Sequence, residues 1–111
     1  MSIPVALDEL AAVVAEHDFA YLLTVGEAGR AHAVALRVEF EDDALVVSCG
    51  AGTASNAQQR PLVSLVWPPV EVGGFSLIVD GEAAAEQVGE GWRVRVQPTG
   101  AVMHRPAPAL D

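Results

Sequence analysis

From Asp8 to His17 the apolar residues Leu10, Ala11, Val14 and Ala15, with Leu7 just ahead, recur at spacings of three and four. That is the period of an amphipathic helix, and the pattern predicts one here, shortly after Pro4. Asp8 and Glu9 in the first turn, and His17 near the end, suit the two ends of its dipole. From Phe19 the period shortens to two and the residues turn β-branched and aromatic. Phe19 to Val25 reads as a strand, Gly26 to Gly29 as a turn, and Arg30 to Phe40 as a longer second strand. The acidic Glu41, Asp42 and Asp43 form the next turn, and Ala44 to Cys49 a third strand. In the second strand Ala31, Ala33 and Ala35 point one way, and His32, Val34, Leu36 and Val38 the other. A face of alanines leaves room for another strand or a flat ligand to approach closely.

Gly50 to Arg60 breaks the β pattern with glycines and polar side chains around a short helix-compatible stretch that ends before Pro61. Leu62 to Trp67 resumes as a strand and is stopped by Pro68 and Pro69. A long strand runs from Phe75 towards Gln87, where Gly81 predicts a bulge or sharp bend. Gly89 to Gly91 is a turn, Trp92 to Gln97 alternates cleanly, and a tail follows. The expected fold is mainly β with minor α: six strands, an N-terminal helix and a short helix after the third strand. Such a sheet forms a small barrel or bent sheet, its edges closed on itself or on a second subunit. One domain, 1–111, accounts for the chain, with no repeat, linker or low-complexity tract.

Composition narrows the partners. The 111 residues carry a formal charge of −9, and six arginines face fifteen carboxylates with no lysine at all. Binding a phosphate backbone or an anionic membrane needs a dense cationic face, so neither nucleic acid nor membrane is an expected partner. The apolar stretches fall well short of the roughly 20 residues of a membrane span, and the N-terminal residues lack the pattern of a signal peptide. A lone Cys49 forms no internal disulfide, which fits a cytoplasmic location. A chain this small buries only about 60 to 70% of its unfolded surface, so a partner subunit is expected to help.

Candidate chemistry centres on Gly50 to Asn56. Its glycines and the side chains of Thr53, Ser55 and Asn56 read either as an anion nest at a helix start or as an ordinary connection with Thr53 or Ser55 as N-cap. Arg37 and Arg60 are the nearest cations in sequence, and each reads either as a phosphate ligand or as half of an ion pair. Arg93 and Arg95 share a face of the last strand and read as exposed. Arg105 in the tail is placed to reach across a dimer. His17, His32 and His104 lack the spacing of a metal set, and Cys49 reads as a buried structural residue. No nucleophile elbow and no phosphate-binding Gly-Lys-Ser/Thr ending is present. Trp67 with Pro68 and Pro69 reads either as an aromatic wall for a flat cofactor or as a dimer anchor.

Four strings, FAYLLTVGEAGRAHAVAL, VVSCGAGTASNAQQRPLVSLVW, GGFSLIVDGEA and VMHRPAP, together resemble the FMN-binding split-barrel family of pyridoxamine 5'-phosphate oxidase-like and flavin or deazaflavin oxidoreductase-like proteins. The resemblance covers the chain from Phe19 to the tail. It implies a homodimer with FMN, or a deazaflavin, in a cleft between subunits. It also implies that Ser48 and Cys49, and Thr53, Ser55 and Asn56 after them, lie near the cofactor phosphate, with Trp67 near the ring or the partner. Ala33, Ala54 and Ser55 stand where strong FMN binders carry basic residues, and the C-terminal extension of true pyridoxamine phosphate oxidases is missing from the sequence. The expected function is therefore a flavin- or deazaflavin-dependent oxidoreductase other than a pyridoxamine phosphate oxidase. The alternative is a split-barrel dimer without a cofactor, serving as a ligand-binding or interaction module for a small molecule or partner.

Overall fold

The computed structural model describes residues 1–108 and is built on one antiparallel sheet with two short helices. In chain order the elements are β1 (Ser2–Pro4), a 3-10 turn (Leu7–Glu9), α1 (Leu10–Ala15), β2 (Ala20–Val25), β3 (Ala31–Leu36), β4 (Glu39–Glu41), β5 (Ala44–Cys49), α2 (Ala51–Gln59), β6 (Leu62–Trp67), β7 (Ser76–Val88) and β8 (Gly91–His104). The strand order is β3-β2-β6-β7-β8-β5-β4, and β1 pairs with the distal half of β8.

Eight strands replace the six expected, for two reasons. The expected second strand breaks at Arg37 and Val38, because β3 pairs with β2 at one sheet edge while β4 pairs with β5 at the other. Two residues thus carry the chain from edge to edge, which requires the sheet to curl until its edges nearly meet. No ladder joins them, so the barrel is split. The other addition, β1, pairs Ser2, Ile3 and Pro4 with His104, Met103 and Val102. The last strand also runs past Gln97 through Pro98 and Thr99, because a bulge opposite Asp80 and Gly81 absorbs the proline that would otherwise break a ladder.

Alternation sorts the sheet into two faces. Leu22, Leu45, Val47, Leu65, Trp67, Leu77, Val79, Val94 and Val96 point inward and are at most 1% exposed. Leu10 of α1 and Ala54 and Ala57 of α2 join that core from the helices. Buried Thr24 is the polar exception, and Asn56 Nδ2 donates to its Oγ1 at 3.4 Å, tying α2 to β2. The opposite face of the sheet carries Ser48 of β5 and Arg93 and Arg95 of β8.

Candidate functional site

On the outer face of β4, β5 and β8, alternate residues form a charged groove. Ser48 of β5 lies opposite Arg93 of β8, and Val46 opposite both Glu39 of β4 and Arg95 of β8. Arg37 and Ala35 reach the same groove from the chain between and within the edge strands, because the sheet's curl brings β3 back towards β5. The groove is about 370 Å³ and is lined by Ala35, Leu36, Arg37, Glu39, Glu41, Val46, Ser48 and Arg93. Its two guanidiniums and one hydroxyl are a donor set for a phosphate or carboxylate, while Glu39 and Glu41 oppose too many negative charges.

The arginines are held to different degrees. Arg95 donates to the Glu41 carboxylate at 2.9 Å and to the Glu41 carbonyl at 3.2 Å, so it is committed to anchoring β4. Arg93 reaches Glu86 at 3.8 Å, and Arg37 reaches Asp18 at 3.4 Å with both side chains more than three-quarters exposed. Surface pairs this loose contribute about 0 to 1 kcal/mol, so Arg37 and Arg93 are available to an incoming anion.

Of the residues singled out in the sequence, the structure brings Arg37 and Ser48 together and separates the rest. The Gly50 to Asn56 segment forms the N-terminal part of α2, and neither Thr53 nor Ser55 is its N-cap. Helix α2 begins at Ala51, its N-cap is Gly50, and no side chain caps it, so Thr53 and Ser55 sit inside the helix instead of at its start. Asn56 is engaged with Thr24, and Ser55 accepts from Gln59. Arg60 caps the other end of α2 and donates its Nε to the Val25 carbonyl at 2.6 Å, away from the groove. Cys49 turns inward by alternation, beside Trp92. Trp67 is 1% exposed and lies in the core with Val63 and Leu65, so it is neither a cofactor wall nor a dimer anchor. The Arg105 guanidinium lies 4.7 Å from the centre of the Phe75 ring. Arg93, which the sequence pattern reads as exposed, joins the groove: alternation in WRVRVQ shows that it shares a face with Arg95, but not that Ser48 lies across from it.

Beside this groove the outer face turns apolar. Ala35, Tyr21, Val66, Ile78, Val102 and Pro4 occupy successive strands as direct cross-strand partners, a row six strands wide with no charge in it. The alanine face of β3 is its exposed end, as the alternation implied. Among the described residues no three His, Cys, Asp or Glu side chains converge on a metal site, and no helix is long and apolar enough to cross a membrane.

No family model matches the chain. Two curated relatives, the uncharacterised proteins Mb0449c of Mycobacterium bovis and MT0457 of Mycobacterium tuberculosis, are each 37% identical over 116 aligned positions, covering 93% of this chain and 82% of theirs. Among solved structures, a provisionally assigned pyridoxamine 5'-phosphate oxidase of Listeria innocua superposes with a TM-score of 0.73 at 16% identity, over 87% of this chain and 96% of that one. An FAD-binding protein of Mycobacterium smegmatis gives 0.69 at 17%, over 92% and 97%. The heme storage protein HutZ of Vibrio cholerae gives 0.68 at 17%, over 86% and 93%. Likeness at such low identity is a likeness of fold.

Proposed function

Since this chain belongs to the same family as the mycobacterial proteins Mb0449c and MT0457 and has the split-barrel fold of pyridoxamine 5'-phosphate oxidase-like proteins, we propose that it binds a flavin-type cofactor, FMN or a deazaflavin, as a homodimer and acts as an oxidoreductase. The observation that carries this reading is the groove where Arg37, Arg93 and Ser48 face one another, a donor set for the cofactor phosphate. The alanines of β3 beside it offer a flat surface against which a ring system packs without steric conflict. When bound, the cofactor supplies the hydride or electron transfer, and the chain's own residues hold its phosphate and exclude water from its ring. Nothing in the groove is positioned as a required acid or base. That is consistent with an oxidoreductase whose chemistry resides in the cofactor, and the fold's FAD-binding neighbour supports it.

Titration with FMN and with a deazaflavin tests the reading, cofactor fluorescence and the absorbance between about 350 and 500 nm being the signals for a flavin. Saturable binding is expected, weakened about tenfold by Arg37→Ala or Arg93→Ala, the scale of one partly exposed charge-assisted hydrogen bond. Absence of binding by either cofactor overturns it. Glu39 and Glu41 in the same groove favour a second reading, a dimer that binds a less highly charged small molecule without redox chemistry. Binding of such a ligand, or of hemin, in competition with no flavin would select it.

A further inference from the structure

A second groove lies where α1 ends against the loop between β6 and β7. It is about 470 Å³, within the range of small-molecule clefts, and is lined by Glu16, His17, Asp18, Phe19, Pro68, Pro69 and Val70. Phe19, the two prolines and Val70 make an apolar wall, and Phe19 is held edge-on to Tyr21 with ring centroids 5.4 Å apart. The polar lining is different in kind from that of the phosphate groove. Glu16 and Asp18 present carboxylates, which only accept hydrogen bonds, and Pro68 and Pro69 have no backbone amide to donate. The His17 ring lies 2.8 Å from the Val13 carbonyl through Nδ1. A carbonyl only accepts, so Nδ1 carries the proton, and in the neutral ring Nε2 is a third acceptor.

An apolar wall rimmed by acceptors selects against anions and for donors that carry positive charge. We propose that this groove binds an organic cation, an ammonium, amidinium or guanidinium group on an apolar body. The body packs on Phe19, Pro68 and Pro69, and the cationic head meets Asp18 and Glu16. A face-on cation to Phe19 adds attraction, and the chain's charge of −9 concentrates cations around it. The competitor for Asp18 is already visible: Arg37 holds its Oδ1 at 3.4 Å. Arg37 therefore stands between the two grooves, and its removal has opposite consequences in them.

Benzamidine is a suitable probe and benzamide its uncharged counterpart, followed by amide chemical shifts of the full chain. Saturable shifts confined to residues 16–19 and 70–72 are expected with benzamidine, and much weaker ones with benzamide. Asp18→Asn, at an exposed position, should weaken benzamidine binding about two- to fivefold, and raised salt should do the same. Arg37→Ala should strengthen it by a similar factor while weakening any flavin, so failure here and failure of the cofactor reading are told apart in one variant. No saturable binding, equal binding of benzamide, or indifference to Asp18→Asn overturns the proposal.

Discussion

Cys49 ends β5 with its thiol turned towards the core, and burial pushes that thiol above its ordinary value of 9.0. The folded chain thus holds the thiol proton more tightly than the unfolded chain does. The stabilisation this represents is complete below pH 9.0 and is lost as pH rises through the folded-state value. Alkylation by iodoacetamide should accordingly be several-fold slower in the folded than in the urea-unfolded chain at pH 8. Urea unfolding of Cys49→Ser should lose the decline in stability that the parent shows above pH 9; equal alkylation rates would place the thiol in solvent. Trp67 carries the complementary lesson. In LVSLVW both faces of β6 are largely apolar, since Leu62 and Val66 alternate with Val63, Leu65 and Trp67. Sequence alternation alone leaves open which set is inward, and only the packing of α2 and β7 decides it.

At the scale of elements, β7 and β8 show what a single atom constrains. A Cβ at Gly81 would lie 2.5 Å from the Gln97 carbonyl oxygen and 2.6 Å from Val96 Cγ1, and the backbone atom has no room to yield. Gly81→Ala should therefore cost about 3 kcal/mol, lowering Tm by about 12 °C. Gly52 sits inside α2 with nothing within 4 Å of such a Cβ, so Gly52→Ala should stabilise by about 1 kcal/mol. A calorimetric scan of both separates a packing requirement from a helix-propensity defect; a neutral Gly81→Ala would remove the bulge from the account. The bulge itself was legible, because a glycine interrupting a long alternating strand has few other uses. The break at Arg37 was not, since Val34, Leu36, Val38 and Phe40 keep one inward phase across it. Alternation records which face is buried and is silent on which neighbour is paired, so the chain's passage between sheet edges leaves no mark. The charged groove was hidden for the same reason: Arg37, Ser48 and Arg93 meet through register and curl, and neither is local.

At the scale of the molecule, the uncharged outer row from Ala35 to Pro4 has to be reconciled with a surface that is otherwise strongly acidic. An apolar strip across six strands, exposed at Pro4, Tyr21 and Ala35 and half-buried at Val66, Ile78 and Val102, is what an interface requires, and Tyr21, still 39% exposed, is the aromatic anchor such interfaces favour. A second copy is the occupant we propose, because a two-fold axis through the row sets each apolar strip against its equal and asks no charge of either. Two copies at −9 repel, so the association should tighten as salt screens them. Sedimentation equilibrium at about 50 µM should give twice the 11.6 kDa chain mass, and Val66→Glu or Ile78→Asp should return it to the single value without unfolding the chain. Placing the charge at Glu90, in the turn between β7 and β8, as Glu90→Lys, should leave the dimer intact. A parent that sediments as one chain at that concentration would exclude the interface. The groove of Arg37, Ser48 and Arg93 borders the row, so a true interface there predicts that Val66→Glu also weakens flavin binding, although Val66 lies outside the groove lining.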